Sequence, residues 1–181
     1  IPTSGTALSG ASVELSYFSI GIDATGTNIV AAWEVNVAGP NNMQSVRSSN
    51  GGSTWSPTVS VLANTQSSGG ITMVTAPTNG LTVLSWYDNS AAGVFAIKAA
   101  SSTDYGLSWT TSTVNDTTIQ VADPRVAVAQ DGKSAQLVWR IGNPSGSVGT
   151  SSTTDAGTAW SSQSTLSGSA TDAVAPIVAL S

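Results

Sequence analysis

The sequence predicts an all-β chain made of β-propeller blades, each a unit of four antiparallel strands. Three observations predict it. First, all six tryptophans share one frame: Trp33, Trp86 and Trp139 lie 53 residues apart, and Trp55, Trp109 and Trp160 follow them by 22, 23 and 21. A period near 50 marks a supersecondary unit that buries its apolar faces only against its neighbours. Second, each period opens on strict apolar alternation, and no segment sustains a 3.6-residue rhythm. Third, the chain is 40% hydrophobic but only 8% charged, and it is rich in Ser, Thr, Gly and Ala. Short strands joined by small-residue turns fit that composition, and disorder does not.

Aligned on the first tryptophan of each pair, Phe18–Trp33, Ile71–Trp86 and Pro124–Trp139 are of equal length. The first strand of each unit alternates: Phe18, Ile20, Ile22; then Ile71, Met73, Thr75; then Pro124, Val126, Val128. That is a strand with one buried face. Hairpin signals follow at residues 24–28, 77–80 and 130–133. A second strand then runs into the tryptophan over Ile29–Trp33, Thr82–Trp86 and Ala135–Trp139. Met43, Ile97 and Val148 mark the third strands. Val59 with Val61, then Val114, then Leu166 mark the fourth. Four antiparallel strands per unit is the content of a propeller blade, and the blades fall at about 17–63, 70–115 and 123–168.

The turns between third and fourth strands carry the most specific signal. They contain Ser48, Asn50, Gly52 and Trp55; Ser102, Asp104, Gly106 and Trp109; and Thr153, Asp155, Gly157 and Trp160. An Asp or Asn in such a turn can accept hydrogen bonds from its own backbone amides, and the glycine two residues on permits positive φ. The tryptophan is expected to pack between strands and close the hairpin. Three copies in register resemble the Asp box, Ser-x-Asp-x-Gly-x-Thr-Trp, of the sialidase-like (BNR-repeat) propellers. The departures are Asn50 for Asp, Thr153 for Ser, and Ser108 and Ala159 for Thr. The resemblance implies that the boxes are structural and lie away from the ligand-binding face.

The two ends of the chain share a phase. A shift of 158 places Leu8-Ser9-Gly10 on Leu166-Ser167-Gly168, and Phe18, Ile20 and Ile22 on Pro176, Val178 and Leu180. The chain is thus expected to hold three full blades plus a leading strand over 4–16 and a trailing strand over 174–181. Propellers typically have 4–8 blades, so three make an incomplete ring. An open arc exposes blade faces to association, and either further propeller blades or a homo-oligomer is expected to complete it.

Composition excludes several functions. With 5 basic and 10 acidic residues and no Lys/Arg cluster, the chain has no surface for nucleic acid. It has no cysteine and no histidine, which removes disulfides, Cys/His zinc sites and histidine-dependent triads. No metal and no cofactor is expected: each box carboxylate sits in a different blade, and no EF-hand pattern occurs. No stretch approaches the roughly 18 apolar residues that span a membrane. The first residues lack a basic start and an apolar run, so no signal peptide is visible. The Ser/Thr-rich, Lys-poor composition nonetheless points to a secreted or cell-surface protein. The single sequon, Asn115-Asp116-Thr117, carries little weight in a chain so rich in Ser and Thr.

The resemblance also implies a catalytic test. Sialidases clamp a carboxylate with three arginines and use a Tyr/Glu pair as nucleophile and an Asp as acid/base, opposite the boxes. This chain has only Arg47, Arg125 and Arg140, and Arg47 adjoins the first box at the wrong end. No residue is therefore assigned a catalytic role. The groups expected on the face opposite the boxes are Glu34, then Tyr87, Asp88 and Asn89, then Arg125, Arg140 and Asn143, near Tyr17, Asp123 and Asp172. Mixed carboxylate, amide, phenol and guanidinium groups suit sugar hydroxyls, although strand ends are also polar for solubility alone. The expectation is an exported, non-catalytic module that binds glycan or protein ligands. The alternatives are part of a sialidase-type glycoside hydrolase completed by residues outside this segment, or a purely structural repeat of a surface protein.

Overall fold

The computed structural model describes residue 8 and residues 14–36, 41–65, 68–89, 93–142, 146–167 and 176–181. The described residues contain twelve strands and no helix: β1 (Glu14–Ile22), β2 (Ile29–Asn36), β3 (Asn41–Ser48), β4 (Val59–Thr65), β5 (Ser68–Thr75), β6 (Thr82–Asp88), β7 (Phe95–Ser102), β8 (Thr110–Thr117), β9 (Val121–Val128), β10 (Ala135–Ile141), β11 (Ser147–Thr153) and β12 (Ser164–Thr165). They form three separate four-stranded sheets, β1–β4, β5–β8 and β9–β12, each a consecutive antiparallel meander. These are three propeller blades, and they do not close a ring.

The first strands β1, β5 and β9 lie side by side at the blade junctions. Alternation then sends one face of each blade toward the preceding blade and the other toward the following one. Val30, Ala32 and Met43 of the first blade meet Met73, Leu84 and Trp86 of the second in one apolar cluster. Leu81, Val83, Ile97 and Ala99 of the second meet Val126, Val128, Leu137 and Trp139 of the third in another. Trp86 and Trp139 are completely buried in these seams, while Trp33 shares a smaller cluster with Ala31, Val35 and Val46. Gly149 makes room for the ring of Trp139, since a Cβ there would press on the indole.

Polar side chains hold the turns that join first to second strands. Asp23 Oδ1 accepts from the amides of Thr27 and Asn28 at 3.1 and 3.2 Å, and Oδ2 accepts from Asn28 Nδ2 at 2.8 Å. Asp131 does the same for Lys133 and Ser134, both at 2.8 Å. Asn79 caps its own turn through the Leu81 amide and donates across the blade junction to the Gly132 carbonyl at 3.0 Å.

The end strands expected over 4–16 and 174–181 lie only in part within the described residues. The first sheet starts at Glu14, and of the residues before it only Leu8 is described. Of the expected trailing strand, residues 176–181 are described and lie outside every ladder. A strand exists only where a partner takes its hydrogen bonds, and matching phase alone does not supply one. The fourth strand of the third blade is two residues long, pairing with Gly149 and Thr150, and the Leu166 amide just beyond it donates to the Val148 carbonyl at 2.8 Å.

Candidate functional site

The blades have two chemically different ends. At one, the three box turns consume their polar groups internally. Asp104 Oδ1 accepts from the amides of Leu107 and Ser108 and from Ser102 Oγ, and its Oδ2 accepts from Ser108 Oγ at 2.6 Å. Asp155 Oδ1 accepts from Thr153 Oγ1 and the Ala159 amide. Asn50 Oδ1 accepts from Ser48 Oγ and the Thr54 amide, while its Nδ2 donates to Thr54 Oγ1 at 2.7 Å. Burial alone would raise the Asp104 carboxyl, but its hydrogen bonds outweigh that and hold it below the ordinary carboxylate range. Asp155 is also held low, chiefly by the Ala159 amide. The boxes join blades as well as closing hairpins. Trp109 Nε1 donates to Ser45 Oγ of the first blade at 2.9 Å, and the Arg47 guanidinium reaches the Asp104 carbonyl and lies 5.2 Å over the Tyr105 ring.

At the opposite end the three blades converge on a cleft of about 280 Å3. It is lined by Tyr17; by Gly70, Tyr87, Asn89 and Phe95; and by residues 120–123 with Arg140. Two repeat positions build it. Tyr17, Gly70 and Asp123 are 53 residues apart and sit at the start of β1, β5 and β9. Each lies within a break in register against the second strand. Such bulges re-aim side chains. Gly70 (φ +65°) and Asp123 (φ +53°) adopt the left-handed conformation, which is uncommon for a residue with a side chain. The second position holds Glu34, Tyr87 and Arg140, one residue past each buried tryptophan. Gly69 completes the arrangement, because a Cβ there would collide with the Tyr87 phenol.

Electrostatics couple these groups. The phenols of Tyr17 and Tyr87 come together in the cleft lining. Burial, then Tyr17, then the charges of Glu34 and Asp123 push the Tyr87 hydroxyl above the ordinary phenol range. Tyr87 therefore stays protonated at neutral pH, able to donate and to accept. Arg140 Nε donates to Asp123 Oδ2 at 3.0 Å, and Nη1 donates to the Gly142 carbonyl at 2.7 Å. Glu34, 1% exposed, is not part of the lining.

No family model matches the chain, and no curated relative does. Solved structures do. A structure of NanB with optactamide superposes with a TM-score of 0.57 at 11% identity, over 87% of this chain and 40% of that one. The NanB sialidase of Streptococcus pneumoniae, in complex with 2-[(3-chlorobenzyl)ammonio]ethanesulfonate, matches 71% of this chain and 19% of its own at 17% identity and a TM-score of 0.47. The chain has a sialidase-like propeller fold. It spans about two fifths of the first of these structures, and at such identities the likeness is one of fold.

Within this sialidase-like propeller, the residues singled out from the sequence separate. Tyr87, Asn89 and Arg140 line the cleft together with Tyr17 and Asp123, and Glu34, buried outside the lining, raises the Tyr87 hydroxyl. Asp88 does not join them. As the strand neighbour of Tyr87 it points to the other face, where it is buried and ion-paired with Lys98 at 3.1 Å. Arg125 turns back to donate to the Pro124 carbonyl at 2.8 Å and is not part of the lining. Asn143 and Asp172 lie outside the described residues. Gly70, Phe95 and Gln120 were not anticipated. The 53-residue spacing from Tyr17 to Gly70 to Asp123 would have exposed the first, whereas Phe95 and Gln120 arrive only through inter-blade packing.

Proposed function

We propose that this protein is a non-catalytic propeller module, exported from the cell, that binds a saccharide in the cleft opposite the Asp boxes. One observation carries the reading: three blades bring two phenols, two amides and an Asp–Arg pair to one cleft. Its volume falls near the lower end of small-ligand sites, about 300–1,000 Å3. The absence of an arginine triad supports binding without turnover, since Arg140 is the only arginine in the lining. Export is supported by the Ser/Thr-rich, Lys-poor composition. In the same reading the apolar face of β1 seats a further blade of this repeat.

The test is a glycan array followed by calorimetry on the hits. Tyr87→Ala should weaken binding by about tenfold or more with the circular dichroism of the wild type. Asp131→Ala, in a turn at the far end of the third blade, should bind normally. A chain that binds no saccharide at millimolar concentration rejects the proposal.

A second reading is favoured by Tyr87 and Glu34 occupying one repeat position, with the Glu34 charge acting on the phenol: part of a glycoside hydrolase whose remaining groups lie outside this segment. Release of phenol from aryl glycosides, lost in Tyr87→Phe, would replace the binding reading with this one. Neither binding nor turnover would leave a purely structural repeat.

A further inference from the structure

Resting on that saccharide reading, we propose that the cleft selects uncharged sugars and rejects carboxylated ones. The chain has five cationic side chains, and every one is placed. Arg47 lies at the box end, bound to Asn28 and the Asp104 carbonyl. Lys98 is paired with Asp88, and Arg125 is folded onto its own chain. Lys133 sits exposed in the β9–β10 turn, at the same end as the boxes. Only Arg140 reaches the cleft.

Arg140 is already held by a carboxylate there. A bidentate grip needs two parallel N–H groups on one edge of the guanidinium. Nε is spent on Asp123 and one Nη1 hydrogen on the Gly142 carbonyl, so the side-on edge that contains Nε is already occupied by a carboxylate of the protein itself. The local charge also opposes an anion. Asp123 cancels the charge of Arg140. A carboxylate entering the cleft would meet no uncompensated positive charge, and the Asp123 carboxylate, itself 40% exposed, would repel it.

What remains is matched to hydroxyl groups. Tyr17 (41% exposed), Asn89 and Gln120 present donors and acceptors to solvent, and Phe95 adds an apolar flank. Amides and phenols both donate and accept, as sugar hydroxyls do, and an aromatic flank suits the C–H face of a pyranose.

The Asp123–Arg140 pair therefore sets the specificity, and it can be undone. Asparagine tolerates the left-handed conformation of residue 123, so Asp123→Asn keeps the backbone while freeing the Nε edge and removing the negative charge. The experiment titrates the whole chain, wild type and Asp123→Asn, with neutral oligosaccharides and with the same oligosaccharides bearing a uronic or sialic acid. The wild type should bind the acidic member of each pair at least about tenfold more weakly, and Asp123→Asn should erase or invert that ratio. Equal or tighter binding of acidic sugars by the wild type overturns this inference and leaves saccharide binding standing. A ratio unchanged in a folded Asp123→Asn overturns the role of the pair. No binding of either class overturns the underlying reading as well.

Discussion

The same repeat position is a seam in two blades and a surface in the third. Met73 of β5 and Val126 of β9 are 5% and 6% exposed, each packed on the blade before it. Their counterpart in β1, Ile20, is 54% exposed, and its neighbour Phe18 is 81% exposed. Around them Leu8, Ala31 and Trp33 line an apolar hollow of about 270 Å3. The side chains are equally apolar, and only the presence of a preceding blade differs. Hydrophobic alternation therefore states which face of a strand is built to be covered; whether it is covered depends on what else the chain folds beside it.

The largest expected effect tests that contrast. Met73→Asp places an unpaired carboxylate in a closed seam and should cost at least about 3 kcal/mol. Ile20→Asp should stay within about 0.5 kcal/mol, as surface changes do. Urea midpoints of the two variants compare them directly, and equal losses would mean that the β1 face is covered in solution.

A smaller effect is expected where the box tryptophans meet their neighbours. Trp109→Phe removes the bond to the buried Ser45 hydroxyl and leaves that hydroxyl unsatisfied, at about 1–2 kcal/mol. Trp55→Phe, on the blade with no predecessor among the described residues, should cost less. Thermal melts of the pair measure the difference; a larger loss at Trp55 would contradict the seam model.

The smallest effect concerns the boxes themselves. Asp104 and Asp155 have carboxyls held below the ordinary value of 3.8, whereas Asn50 cannot ionise. A group whose folded value is depressed stabilises the fold above its unfolded value, and that contribution fades as pH falls through the folded one. Asn50→Asp would let Thr54 Oγ1 donate to the new carboxylate as Ser108 Oγ donates to Asp104. The variant should melt slightly higher than wild type at pH 7, and the gain should vanish below about pH 3.8. A gain that persists in acid would show that charge is not its source.

Much of this architecture is legible residue by residue. The 53-residue tryptophan spacing marks the second strands, and the box glycines mark the turns, because both signals are local. The binding candidates were legible only in part. Tyr87 and Arg140 follow from one repeat position, but grouping Asp88 with Tyr87 overlooked that consecutive strand residues face opposite ways. Arg125 misled similarly: its position near the cleft was readable, and the turn of its guanidinium onto Pro124 was not. Phe95 and Gln120 carry no local mark, since they join the cleft across blade junctions.

By itself the sequence determined the number of blades, their strand order and the box chemistry. Each of these depends on short-range hydrogen bonding, alternation or simple counting. Only the tertiary structure decided that Tyr17 meets Tyr87, that Asp123 occupies Arg140, and that the β1 face stands open. Those are distances between residues more than fifteen positions apart, and no local energy term sets them.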